Sequence, residues 1–177
     1  MNVELKSRLV SSILAAAICL STAVSLLPAA ANRHPLVEII PLDPFTLPAG
    51  DSGCDFPMAL SPLANKEKLT TFFDAEGNVR LQIVTGVRKV QLTNLSTGKV
   101  ISLNISGPAQ IRQNSDGTTT ISVEGEGVLL FAPGVAPEFP RQTYLRGRVV
   151  GVGDAFGNIT KVVKLDGTVQ DVCTLLS

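Results

Sequence analysis

The sequence has no tryptophan, one tyrosine, one histidine and three cysteines in 177 residues. Each scarcity excludes something. Without Trp and with only Tyr144, the chain lacks the aromatic platforms on which sugar rings stack, and its seven Phe suit core packing. His34 is the sole imidazole, so a Ser-His-Asp or Cys-His arrangement has one candidate base. That base precedes a proline in a stretch that reads as a loose terminus. Paired-His and Cys-x-x-Cys zinc spacings are missing. An excess of one charge is missing too: 15 Lys+Arg balance 15 Asp+Glu, which leaves no broad basic surface for nucleic acid.

What is present begins with an export signal. Lys6 and Arg8 form a short basic start, Leu9 to Leu27 carry no charge, and Ala29-Ala30-Ala31 offer small residues for a cut after Ala31. The alternative is a retained anchor, since the apolar run approaches spanning length. Removing residues 1–31 takes away Glu4, Lys6 and Arg8 and leaves a net charge of −1. No second long apolar run follows, so no membrane attachment is expected after cleavage. Two cysteines then survive, Cys54 and Cys173. An even pair in an exported chain reads as a disulfide. It would close a loop of about 120 residues, worth roughly 4–5 kcal/mol in the chain-entropy model.

Residues 32–62 contain six prolines and cannot be helix. Residues 32–53 read as an extended arm, with Leu36 to Ile40 as an edge strand, and 54–177 as one domain. From Leu69 onward, short β-branched runs alternate with Gly-containing turns. Ile101, Leu103 and Ile105 alternate with Ser102, Asn104 and Ser106, the mark of a strand with one buried face. Gly125 and Gly127 predict a bend or bulge before Val128. Asp74-Ala-Glu-Gly-Asn and Asp154-Ala-Phe-Gly-Asn repeat one turn grammar, in which Asp closes the loop and Gly supplies positive φ. The expected fold is all-β, an antiparallel sandwich or barrel of about eight strands.

The Cys54–Pro57 entry (Cys-Asp-Phe-Pro), the Leu92–Lys99 run (Leu-Thr-Asn-Leu-Ser-Thr-Gly-Lys) and the Asp171–Leu176 end (Asp-Val-Cys-Thr-Leu-Leu) resemble small secreted β-rich proteins of actinobacteria that have no assigned function. The resemblance covers most of 54–177. It implies no activity and supports the pairing of Cys54 with Cys173.

Carboxylate chemistry remains open to a chain without histidine in its domain. Glu124 and Glu126 share a face if their strand is regular, whereas Asp74, Glu76 and Asp154 fall in loops. Asp74, Glu76 and Asn78 place three oxygen side chains at alternate positions but lack the rest of a calcium loop. Arg141, Arg146 and Arg148 form the densest basic patch, and Arg146 and Arg148 on one strand face are the candidate anion contacts. No catalytic residue, cofactor or metal site is assigned. The expectation is an exported, non-enzymatic β-domain with an extracellular partner, neither nucleic acid nor membrane. An apolar-ligand carrier with a barrel interior and a carboxylate hydrolase are the alternatives.

Overall fold

The computed structural model describes residues 34–154 and 158–177. The export signal expected at 1–31 and the tip Ala155-Phe156-Gly157 lie outside them. The chain is all-β, in two antiparallel sheets. The larger has seven strands in the order β1(Leu36–Ile39), β4(Lys68–Phe73), β5(Val79–Thr85), β8(Ala109–Gln113), β9(Thr119–Leu130), β10(Gln142–Gly153) and β11(Ile159–Asp171). The smaller has four, in the order β2(Phe45–Leu47), β3(Met58–Asn65), β6(Arg88–Asn94) and β7(Val100–Asn104). A short helix, α1(Val172–Leu176), follows, capped by Asp171, whose Oδ1 accepts from the Cys173 N–H at 2.9 Å.

Among the described residues, eleven strand segments replace the expected eight because several strands bend and change sheet midway. Only residues 66–67 separate β3 from β4, and only 86–87 separate β5 from β6. β7 runs through 105–108 into β8 in the same way. Joined at these corners, the segments make a meander in which each long run neighbours the next. Residues 36–47, expected as an arm, are woven in, because β1 pairs with β4 and β2 with β3.

The corners are stitched side to side. Ile40 N–H donates to the Glu67 carbonyl (3.1 Å), Lys66 N–H to Val87 (2.7 Å), Ile105 N–H to Arg88 (2.9 Å) and Glu124 N–H to Pro108 (2.9 Å). Beyond Glu124 the line continues as a row of glycines, with Gly125 opposite Gly147 and Gly147 opposite Gly167. Gly125 takes a positive φ of 84°, but no bulge interrupts β9 there and pairing does not stop. β9 and β10 stay in register from Thr119–Gly153 to Leu130–Gln142.

Below this crease the four-stranded sheet packs its inner face on the ends of β9 and β10. Met58, Leu60, Val90 and Leu92 meet Val128 and Tyr144, and α1 adds Val172 and Leu176. The alternation of Ile101 and Leu103 places both against the same core. Above the crease the inner face of the larger sheet buries Leu69, Ile111, Ile121 and Val149. Pro62 lies inside β3, where the register shifts between Pro62 and Ala64. A bulge is where a strand tolerates a missing donor.

Cys54 and Cys173 are joined, with Cα atoms 5.4 Å apart and a sequence separation of 119. The bridge fastens the residues before β3 to α1. Asn94 Nδ2 donates to the Leu176 carbonyl at 3.1 Å, and Lys99 Nζ donates to the Ser177 carbonyl, so the tail is held at three points.

At the corner between the sheets, Arg88 and Glu67 form an ion pair of 2.7 Å, their side chains 17% and 6% exposed. Burial pushes the Glu67 carboxyl above its ordinary value, and the Arg88 charge opposes that only in part. The folded state therefore holds this proton more tightly than the unfolded chain, and Glu67 lowers stability as pH rises through and above the ordinary glutamate range. Arg88→Ala removes the counter-charge, so its cost should be about 3 kcal/mol at pH 7 and clearly smaller at pH 4, where Glu67 can protonate. Urea denaturation at the two pH values reads this directly. Replacing the pair together by Leu and Met should cost much less than Arg88→Ala alone. Equal costs at both pH values would contradict this account.

Candidate binding face

Strand periodicity gives the larger sheet a second, outward face above the crease. Its rows follow the registers. One runs Val37, Thr70, Ile83, Gln110, Ser122, Val150 and Lys164; the next runs Phe72, Leu81, Arg112, Thr120, Val152 and Lys161; Ile39 stands beside Lys68. No layer of the described residues covers it: Val37 is 58% and Ile39 73% exposed, while Phe72, Leu81, Ile83, Val150 and Val152 are half-buried by their neighbours in the sheet. At the other edge, Val163 is the extra residue of a bulge and is 60% exposed.

Arg146 and Arg148 lie on this face, as strand spacing predicts, and each meets a glutamate on β9. Arg146 Nε is 3.1 Å from Glu126 Oε1, and Arg148 Nε is 3.2 Å from Glu124 Oε1. The register places them there, since Arg146 pairs with Glu126 and Arg148 with Glu124. Glu124 and Glu126 thus share a face, as expected of a regular strand, but each faces a guanidinium.

Glu126 has further partners. The Tyr144 hydroxyl lies 3.0 Å from its Oε1, and Asn104 Nδ2 donates to its Oε2 at 2.6 Å. The same hydroxyl is 3.2 Å from the Asn104 carbonyl, and the Arg146 guanidinium stands 5.3 Å from the Tyr144 ring centre. This cluster joins β7 of one sheet to β9 and β10 of the other. Its carboxylate is occupied on both oxygens, which makes it a clasp between the sheets.

Asp166 is paired with Lys164 at 2.7 Å. With these three carboxylates of the face neutralised, Lys68, Arg112 and Lys161 stand on it with no carboxylate partner among the described residues. A chain of zero formal charge therefore presents one face of net +3. Each free cation has an apolar residue directly across the strand: Ile39 for Lys68, Leu81 for Arg112, Val152 for Lys161. Inspection of the sequence for basic clusters misses these three, because they are scattered over almost a hundred positions. Only the strand register gathers them.

The other sequence candidates lie elsewhere. His34 is exposed at the start of the described residues. Both oxygens of Asp74 accept from Asn78, from its N–H at 2.7 Å and its Nδ2 at 3.1 Å, and Asp154 and Asn158 repeat the arrangement at 2.9 and 2.9 Å. The Asn78 backbone bond leads the contributions that hold the Asp74 carboxyl below its ordinary value. The echoed loops share a closure, in which each Asp accepts from the Asn four residues on.

What the fold defines is a two-sheet antiparallel β-domain, creased across its middle and fastened at its C-terminal helix by a disulfide. No family model matches the chain, and neither a curated protein nor a solved structure matches it.

Proposed function

We propose that the chain is an exported, non-enzymatic β-domain that binds an extracellular partner through the outward face of its seven-stranded sheet. The observation that carries this reading is the coincidence of exposed apolar side chains with three uncompensated cations on one uncovered face. Contiguous apolar surface left uncovered is characteristic of interaction sites. The Cys54–Cys173 bridge suits an oxidising compartment. The reading is preferred over an apolar-ligand carrier because the larger sheet runs from β1 to β11 as two separate edges, without the closure that a barrel interior needs. It is preferred over a carboxylate hydrolase because Glu124 and Glu126 each sit against an arginine.

A photo-crosslinking residue at position 39 tests it, with position 102 on the outer face of the four-stranded sheet as control. In cells that export the protein, position 39 should give an adduct, to lipid or to a protein, and position 102 none. The pair Lys68→Ser and Arg112→Ser should abolish the adduct while changing stability by no more than about 0.5 kcal/mol each, the usual range for surface positions. Equal labelling from both positions, or from neither, would overturn the assignment.

A further inference from the structure

We infer that the partner of this face is an anionic lipid surface; the inference rests on the binding reading above and names its ligand. The argument begins with how the free cations are spread. Lys68, Arg112 and Lys161 sit on β4, β8 and β11, the second, fourth and seventh strands of the sheet. At about 4.8 Å per strand they span roughly 24 Å. A single anionic group reaches one of them. An extended peptide added along a sheet edge follows one strand and misses at least two. A field of monovalent headgroups reaches all three at once.

The apolar component points the same way. Every free cation has an aliphatic cross-strand neighbour on the same face, so charge and hydrocarbon alternate within a few ångströms. A bilayer interface presents the matching pattern, with acyl carbon lying just beneath anionic headgroups. Ile39, the most exposed of these side chains, stands with Val37 at the β1 rim, where penetration displaces least of the sheet. Self-association through the same face is disfavoured, because a two-fold contact sets a +3 surface against its own copy. Attachment here is peripheral and departs from the membrane-free expectation of the sequence, which rested on the lack of a second long apolar run. No helix among the described residues is long and apolar enough to cross a membrane, and this contact needs none.

The experiment is co-sedimentation of the disulfide-intact protein, lacking residues 1–31, with vesicles of phosphatidylcholine containing 30% phosphatidylglycerol, and with pure phosphatidylcholine vesicles, in 50 mM salt. Binding is expected on the anionic vesicles only, weakened steeply by raising salt. Changing Lys68, Arg112 and Lys161 together to Ser should lower the partition coefficient on the order of a hundredfold, from the typical contribution of each basic residue near an anionic surface. Val37→Ser with Ile39→Ser, which leaves the charge unchanged, should also reduce partitioning. Urea midpoints of both variants confirm that they fold. Absence of binding to anionic vesicles, or equal binding by the triple variant, would overturn the lipid assignment. If vesicles fail while position 39 still crosslinks to an exported or surface protein, the lipid inference falls and the binding face stands. If neither occurs, both fall.

Discussion

Changing Cys54 and Cys173 together to Ala should lower stability by roughly 4 kcal/mol, the entropy the unfolded chain regains when a loop spanning 119 residues is opened. Equilibrium urea unfolding of the double variant, beside the oxidised parent, measures it. The location of the bridge argues for the upper part of the usual range. Cys173 lies in α1, and the same short helix supplies Val172 and Leu176, both fully buried, to the core beneath the crease. A five-residue helix has no stability of its own. Its order depends on the bridge, the Asp171 cap and the bonds from Asn94 and Lys99. Reduction should therefore free the tail as well as relax the unfolded chain. Hydrogen exchange at Leu176 and its neighbours should accelerate in the reduced protein more than exchange in β9 and β10. A loss below about 1 kcal/mol would mean that packing alone holds α1.

The second large effect is expected at the crease. Gly147 has φ +150°, and a Cβ placed on it lies 2.1 Å from the Asp166 carbonyl oxygen and 2.7 Å from the Gly167 Cα. Both obstacles are backbone of the paired strand, so no side-chain rotation relieves them. Gly147→Ala must break the β10–β11 register locally or flatten the bend, and it should cost about 4 kcal/mol or more. Gly98→Ala is the control. Gly98 also has positive φ, at +75°, but a Cβ added there meets no atom within 4 Å, so only conformational strain of about 1 kcal/mol is expected. Thermal unfolding of the two variants should separate them clearly. Comparable midpoints would show that the crease does not depend on close strand approach.

Some parts of the molecule are legible in the sequence and others are not. The inward positions of β6 and β7 are legible because Val90, Leu92, Ile101 and Leu103 alternate with polar residues. The disulfide follows from a cysteine count. The paired Asp–Asn loops follow from turn chemistry, which is local. Strand segments of the proline-rich region are harder. Pro62 argues against a strand, and only the bulge beside it makes β3 feasible. The continuity of β9 through Gly125 is also hidden, since a glycine that ends a strand and one that bends it look alike until the neighbouring strands supply their own glycines at the same level.

The candidate site is legible only in its least informative part. Arg146 and Arg148 are close in sequence and on one face, so they stand out, yet the residues opposite them neutralise both. The cations left free are separated by long stretches of chain. Their value depends on two things that sequence spacing does not encode: which strand lies beside which, and which carboxylates are already taken.

The meander itself bears on how the protein is made. Because each long run lies beside the one that precedes it, the larger sheet can lengthen by one hairpin at a time, with no early strand waiting for a distant partner. The exceptions are the contact of the four-stranded sheet with the late strands and the joining of Cys54 to Cys173. Oxidation is then a final event, able to lock a nearly finished sheet but poorly suited to guide its start. Such an order of assembly leaves few unpaired strand edges exposed while the sheet grows. For the exported chain proposed above, that is an advantage, since it would fold outside the reach of cytoplasmic chaperones.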